Sequence, residues 1–384
     1  MEHTTVAGIN KIQIIGLGLI GTSVGFALKN SGYFVTGFDI DSERIKTALE
    51  IGAIDAGGLD FSADLAFVAV PVKRVVPIVK LFLGKNIDFS EDLATIVAER
   101  DQSLAKGSFN QEMIITDVAG IKATVAGEVT DKRFIGGHPM AGSERLGPQG
   151  ADPKLFEGAT WVLTPTEHTD HDAFMKLSSL IRQMGAEVVS LEPDRHDRLV
   201  ATVSHVPHLT AANLMLLAHE QSFSEAALLR LAAGGFRDMT RISAGDPEIW
   251  PDVLLDNASA VIAALNSLIG KLSSMRSLIE EKNRPELYEI LQQAQVARRN
   301  LPRRGLAPED LVEIATVITD QPGVLAEITT LLGKEGINLY NLEIVHPGET
   351  KNGVLVMVIE RKELNRAQSL LSDKGYALDA KEEL

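Results

Sequence analysis

The chain has 384 residues, enough for two or three domains, and 45% of them are apolar, so a sizeable core is available. A net charge of −15 argues against a general nucleic-acid surface, which needs clustered Lys and Arg, but leaves room for one local cationic pocket that takes a small anion. There is no cysteine, which excludes disulfides, thiolate catalysis and cysteine–zinc sites.

The opening residues, MEHTTVAGINK, lack the basic start and apolar run of a signal peptide. No uninterrupted apolar run reaches a membrane span. A soluble cytoplasmic protein is expected, without membrane or nucleic-acid partners.

Residues 11–41 read KIQIIGLGLIGTSVGFALKNSGYFVTGFDID. Ile12 to Ile15 form a short apolar run, the pattern of a buried parallel strand. Gly16, Gly18 and Gly21 follow at G-x-G-x-x-G spacing, with Leu19 and Ile20 between the last two. Ile20 to Leu28 has helical spacing, and Phe34 to Phe38 reads as a second strand ending at Asp39. A strand before the glycines, a helix after them and an acid closing the next strand are the context of a dinucleotide site. Gly16 makes the tight turn, Gly18 lets the backbone approach a pyrophosphate, and Gly21 lets helix and strand pack closely. Asp39 is placed to accept hydrogen bonds from the adenosine ribose and to repel a 2′-phosphate, so the expected cofactor is NAD and not NADP.

The α/β alternation continues. Leu65–Val70 reads as a strand, and PVKRVVPIVKLFL as a helix behind Pro71. Residues 84–112 are more polar and form an excursion of irregular pattern. Met113–Thr116 is a strand ending at Asp117. HPMAGSE, His138 to Glu144, is glycine-rich and proline-broken, and it reads as a loop presenting a histidine and a carboxylate. Trp161–Thr164 and Glu187–Leu191 are further strands, with a helix at Asp170–Met184 between them. Residues 1–192 are therefore expected to form a Rossmann-like, doubly wound domain.

Residues 193–300 change texture. Leu/Ala-rich helical periodicity dominates, in AANLMLLAHE, SEAALLRLAAGG and ASAVIAALNSLIGKL. This excess of apolar helix suggests an all-helical segment that pairs with a second copy. Two islands interrupt it: SHVPH, with His205 and His208, and GGFRDMTRISAGDP, with Arg237, Asp238 and Arg241. A pair of histidines without a third ligand of clear spacing gives no metal site. Residues 301–310 are a Pro- and Arg-rich linker. Residues 311–384 then follow the order β-α-β-β-α-β, a ferredoxin-like arrangement, with a turn at Asp320–Gly323.

GLGLIGTS, TDVAGIK, GGHPMAGSE, SHVPH and GGFRDMTRIS, in this order and spacing, resemble the prephenate dehydrogenase family over nearly the whole chain. TDQPGVLAEITTLLGKEGINL is similar to the start of an ACT regulatory domain. The resemblance implies oxidation of prephenate at ring C4 by NAD, with loss of CO₂ from C1, giving 4-hydroxyphenylpyruvate. It implies that His138 is the base for the hydroxyl proton, that His208 and Arg241 bind substrate, and that Asp238 and Arg237 organise that arginine. His205 looks more structural than catalytic. Glu144 matches a position near the mouth of the site, and Lys122 one that lines the cofactor side. Where the family usually has a serine beside the histidine, this chain has Gly120; Ser143 or a water is the expected replacement. By the same resemblance, Asp320, Gly323 and Asn338 cradle an amino-acid effector, tyrosine being the first choice. The excess of apolar helix makes a homodimer the expected assembly. Two alternatives stay open: the same chemistry on arogenate, alone or together with prephenate, and an amino-acid sensor built on an inactive dehydrogenase. The histidine motifs speak against a 3-hydroxyacid dehydrogenase, which uses a lysine base.

Overall fold

The computed structural model describes residues 5–87, 93–142, 145, 147–225, 227–301, 311–319, 321–345 and 352–381. Two compact units divide the chain, 1–272 and 273–384. The segments expected as separate domains at 1–192 and 193–300 thus share the first unit as far as residue 272.

The first unit is built on an eight-stranded sheet. In chain order its first half comprises β1 (Lys11–Ile15), α1 (Leu19–Asn30), β2 (Phe34–Phe38), α2 (Ser42–Glu50), β3 (Ala56–Gly57), β4 (Leu65–Val68) and α3 (Val72–Phe82). There follow α4 (Ala94–Lys106), β5 (Ile114–Asp117), α5 (Ala123–Glu128), β6 (Phe134–Pro139), β7 (Thr160–Thr164), α6 (His171–Gln183) and β8 (Glu187–Ser190). The excursion expected over 84–112 thus contains a helix, α4, ended by Gly107 in the left-handed region.

The strand order is β3-β2-β1-β4-β5-β6-β7-β8. Strands β1 to β6 pair in parallel, whereas β7 runs antiparallel to β6 and β8 parallel to β7. Fully buried strands such as β4, Leu65–Val68, read as unbroken apolar runs because helices cover both faces. Two apolar cores follow. One joins Ile12, Ile14, Leu28, Phe67, Trp161 and Leu180; the other joins Ile15, Val68, Val79, Phe82, Ile115 and Phe134.

His138, expected in a loop, is on β6, opposite Val162 of β7. The glycines before it signal a loop, but they serve packing. A Cβ on Gly137 would lie 2.7 Å from the Asp117 carbonyl oxygen and 3.0 Å from the Trp161 indole nitrogen, so only glycine lets the strands approach there.

After β8 the chain is helical: α7 (Pro193–Val200), a π turn at Ala201–His205, α8 (Val206–Ser222), α9 (Gly234–Thr240), a 3₁₀ turn at Arg241–Ala244, α10 (Ile249–Asp256) and α11 (Ala258–Glu280). Pro207 has no N–H for the regular ladder, and the π turn widens the helix just before it. Helix α11 is long and apolar enough to cross a membrane by length and composition, although no single apolar run of that length stands in the sequence. Only 6% of its most apolar window is buried within the chain.

The second unit holds α12 (Arg284–Arg299), β9 (Leu311–Thr319), α13 (Val324–Lys334), β10 (Asn341–Val345), β11 (Asn352–Glu360), α14 (Leu364–Ser372) and β12 (Leu378–Lys381). Its four-stranded sheet has the order β10-β11-β9-β12, antiparallel throughout. Val312, Ile314, Ile318, Met357 and Ile359 on the strands pack against Ile328, Leu332 and Leu371 on the helices.

Candidate active site

The strand order reverses between β1 and β4, and doubly wound sheets take their ligands beyond the carboxyl ends of the strands at such a point. Gly16, the first residue after β1, has φ +95°, and a Cβ on it would lie 2.2 Å from the Ala69 carbonyl oxygen behind β4. A Cβ on Gly21 would lie 2.0 Å from the Gly16 carbonyl oxygen. Gly18 has open space where a side chain would be. It is also the N-cap of α1, with no side chain capping the helix, and Leu19 and Ile20 form the first turn. The free amides of that turn fit an anionic phosphate. Asp39, 7% exposed, accepts from the Leu17 amide at 2.7 Å and the Asp41 amide at 3.0 Å, which ties the end of β2 to the glycine turn. Arg44 Nη1 lies 3.6 Å from the same carboxylate. These residues fit an adenosine dinucleotide.

His138 ends at the same sheet edge, because β1, β4, β5 and β6 are parallel. Its Nδ1 lies 2.8 Å from His196 Nε2, and His196 Nδ1 lies 2.7 Å from Asp197 Oδ1. Asp197 also accepts from the Lys122 amide at 2.9 Å and the Ala123 amide at 2.8 Å, and so holds the loop after β5. The far side of the His138 ring faces Gly120; a Cβ there would lie 3.8 Å from Nε2 and Cε1, ordinary contact distance. Burial holds the His138 ring well below its ordinary pKa, and the neighbouring His196, Lys122 and His205 push the same way. The ring is therefore neutral at neutral pH, as a proton acceptor must be. Asp197 is held below the usual carboxylate range: burial alone would raise it, but hydrogen bonds from His196, Ala123 and Lys122 outweigh that.

Lys122 does not line a cofactor surface. It is 1% exposed, and its amine contacts the Asp117 carboxylate and donates to the Gly137 carbonyl at 2.7 Å. The paired residues of β5 and β6 end at Thr116 and Ile135, and beyond them Asp117 and Lys122 occupy the gap between the strands. Burial pulls the amine below its ordinary range, opposed by Asp117.

The helical segment brings further rings to the site. His205 is 3% exposed, lies 3.3 Å from Asn257 Nδ2, and meets Trp250 edge-on. Asn257 Nδ2 also donates to the Asp197 carbonyl at 2.9 Å. His208 stacks on Trp250, and burial holds its pKa below the ordinary value. Arg241 is exposed, on the 3₁₀ turn that α8 packs against, and among the described residues no carboxylate lies within ion-pair distance of it. The expected support from Arg237 and Asp238 is not made: Arg237 Nε donates to the Ala232 carbonyl at 3.2 Å, and Asp238 is exposed. Ser143 and Glu144 lie outside the described residues, as does Asp320. Gly323 has φ +99° and caps α13, and Asn338 is exposed.

A separate cleft of about 490 Å³ lies against α3 and α5. Its cations are already paired, Lys73 with Asp252 at 2.5 Å and Lys80 with Glu128 at 3.3 Å. Among the described residues no group of three or more His, Asp or Glu side chains is placed to hold a metal ion.

Sequence reasoning misses His196, Asp197, Trp250 and Asn257. PDRHDRLV looks like a solvated charged helix; the only signal is one histidine in a helix entering SHVPH.

Residues 94–190 match the nucleotide-binding domain of prephenate dehydrogenase, and residues 192–293 match its dimerization domain. A prephenate dehydrogenase of Bacillus subtilis is 33% identical over 358 residues, 90% of this chain and 90% of that protein. The structure of Aquifex aeolicus prephenate dehydrogenase in complex with hydroxyphenyl propionate and NAD+ is 28% identical, with a TM-score of 0.66 over 77% of this chain and 99% of that one. A Synechocystis arogenate dehydrogenase is 29% identical, with a TM-score of 0.62 over 76% of this chain and all of that one. The chain belongs to the prephenate dehydrogenase family.

Proposed function

We propose that this chain oxidises and decarboxylates prephenate with NAD+, with His138 as the base. The observation that carries the reading is a neutral, partly exposed imidazole at the sheet edge that also bears the glycine turn. Gly16, Gly18, Leu19, Ile20, Gly21 and Asp39 would hold the dinucleotide, and bound NAD+ supplies the hydride acceptor. His138 Nε2 takes the proton from the C4 hydroxyl as the hydride leaves C4. The C1 carboxylate departs as CO₂, and the electron pair it leaves behind aromatises the ring. The proton then returns to the phenolic oxygen, and the product is 4-hydroxyphenylpyruvate. The exposed guanidinium of Arg241 pairs with a substrate carboxylate, and His208 lines the substrate side.

Exposed Ile262, Ile269, Leu272 and Ile279 recur at intervals of seven and three residues along α11, the spacing of a helix–helix seam. With the match to a dimerization domain, this supports a homodimer. The β-α-β-β-α-β order of the second unit supports an ACT module that binds an amino acid, with Asp320, Gly323 and Asn338 at the ligand and tyrosine as the inhibitor.

The test follows NADH absorbance with NAD+ and prephenate, with and without tyrosine, beside His138→Asn. Turnover that disappears in the variant and falls with tyrosine is expected. Turnover on arogenate alone would replace prephenate by arogenate as substrate. Silence on both would remove the catalytic reading.

A further inference from the structure

We propose that His196 and Asp197 are positioning residues that fix His138 as the Nδ1–H tautomer and so leave Nε2 as the proton acceptor; this deepens the reading of His138 as the base. Each hydrogen bond in the series dictates the next. Asp197 takes two backbone amides, Lys122 at 2.9 Å and Ala123 at 2.8 Å, so it is an anion that can only accept. His196 Nδ1, 2.7 Å from that carboxylate, must donate. A neutral His196 then has its lone pair on Nε2. His138 Nδ1, 2.8 Å away, must donate to it. His196 is 0% exposed, so no solvent competes for either nitrogen. The remaining lone pair of His138 is on Nε2, the side facing Gly120.

The chain of bonds also accounts for a glycine at 120. A serine there could orient the imidazole from its front; here the ring is held from behind. When Nε2 takes a proton, the resulting cation donates more strongly to His196, and the Asp197 charge lies beyond it.

The test has two arms. In the first, ¹⁵N-histidine spectra of the wild-type protein with NAD+ bound, assigned with His138→Asn, read the His138 tautomer near neutral pH. Nδ1–H is expected; Nε2–H would overturn the proposal. This arm needs no turnover, so it stands or falls apart from the choice of substrate. In the second, kinetics compare His196→Phe with His196→Gln. Gln carries an acceptor at the reach of Nε2, whereas Phe has none. We expect His196→Phe to lower kcat by about 100-fold with the prephenate KM within about threefold, and His196→Gln to recover to within about fivefold of wild type. Equal losses in Phe and Gln variants that both keep the wild-type Tm, or a loss in KM alone, would overturn the positioning role.

Discussion

The Trp250 indole lies parallel to the His208 imidazole, with ring centroids 3.6 Å apart and planes 12° from parallel. One face of the histidine is therefore closed to water, and burial is what holds its pKa down. Trp250→Ala should let the His208 pKa climb toward the ordinary value of about 6.5, while Trp250→Phe keeps it low. Histidine Cε1–H chemical shifts followed against pH read this directly. An unchanged His208 titration in the alanine variant would assign the burial to other neighbours.

The base form of His138 persists below the ordinary histidine range. Activity needs that form, so the acid limb of kcat/KM for prephenate should have its midpoint below about 6.5. His138→Asn should lower kcat by a factor of about 10² to 10⁴. A limb centred at or above the ordinary value would mean that another group titrates.

Stability should follow the same rings. His138, His205 and His208 all have folded pKa values below the ordinary one, burial being the leading cause in each. The unfolded chain therefore binds protons at these sites first as pH falls. Their contribution is complete above about pH 6.5 and is lost as pH drops through that value toward the folded ones. The depressed Asp197 acts lower: its contribution is present above about pH 3.9 and is lost as pH falls through its folded value. Tm should decline between about pH 6.5 and 5, and His205→Gln should flatten the decline. Equal slopes in wild type and variant would remove His205 from this account.

Much of this is legible in the chain. The glycine spacing with its flanking apolar runs announces β1, α1 and β2, since a tight turn, a close approach and a buried parallel strand each demand particular residues. His138 is legible as chemistry but not as structure. The pair of glycines before it looks like a loop, and only the nearness of Asp117 and Trp161 shows them to be packing residues. Lys122 misleads for a similar reason: a lysine in a loop motif suggests a surface, and nothing local reveals the gap between β5 and β6 that it occupies. His196, Asp197 and Asn257 are hidden because their partners are distant in sequence. Asp197 bonds residues 75 and 74 positions away, a pairing no local pattern encodes.

Asp39 and Arg44 set the cofactor test. The Asp39 carboxylate faces the glycine turn, with Arg44 3.6 Å away. Asp39→Ala should raise the KM for NAD+ by at least about tenfold, since it removes both the ribose acceptor and a charged hydrogen bond worth ~1.5–3 kcal/mol to the loop. It should also bring NADP+ into use, because Arg44 is then left to meet a 2′-phosphate. Steady-state kinetics with both dinucleotides decide this, and a variant still confined to NAD+ would refute the role given to Asp39.

Ile269 and Leu272 are 57% and 56% exposed on α11. Ile269→Asp combined with Leu272→Asp should shift the protein from dimer to monomer in sedimentation velocity, because charges cannot be buried unpaired at a helix seam. A dimer that survives both substitutions would place the interface elsewhere.

The placing of His138 on β6 has a thermal consequence. A base carried by a loop must be brought to rest each time substrate arrives, and that ordering grows costlier as the temperature rises. Here β7 pairs with His138 itself, while Asp117 and Lys122 grip Gly137 on the other flank, so the backbone that carries the imidazole is already held by the sheet. Warming should therefore speed the chemistry until the sheet itself gives way, and the temperature at which activity is lost should coincide with the melting of the sheet and not precede it.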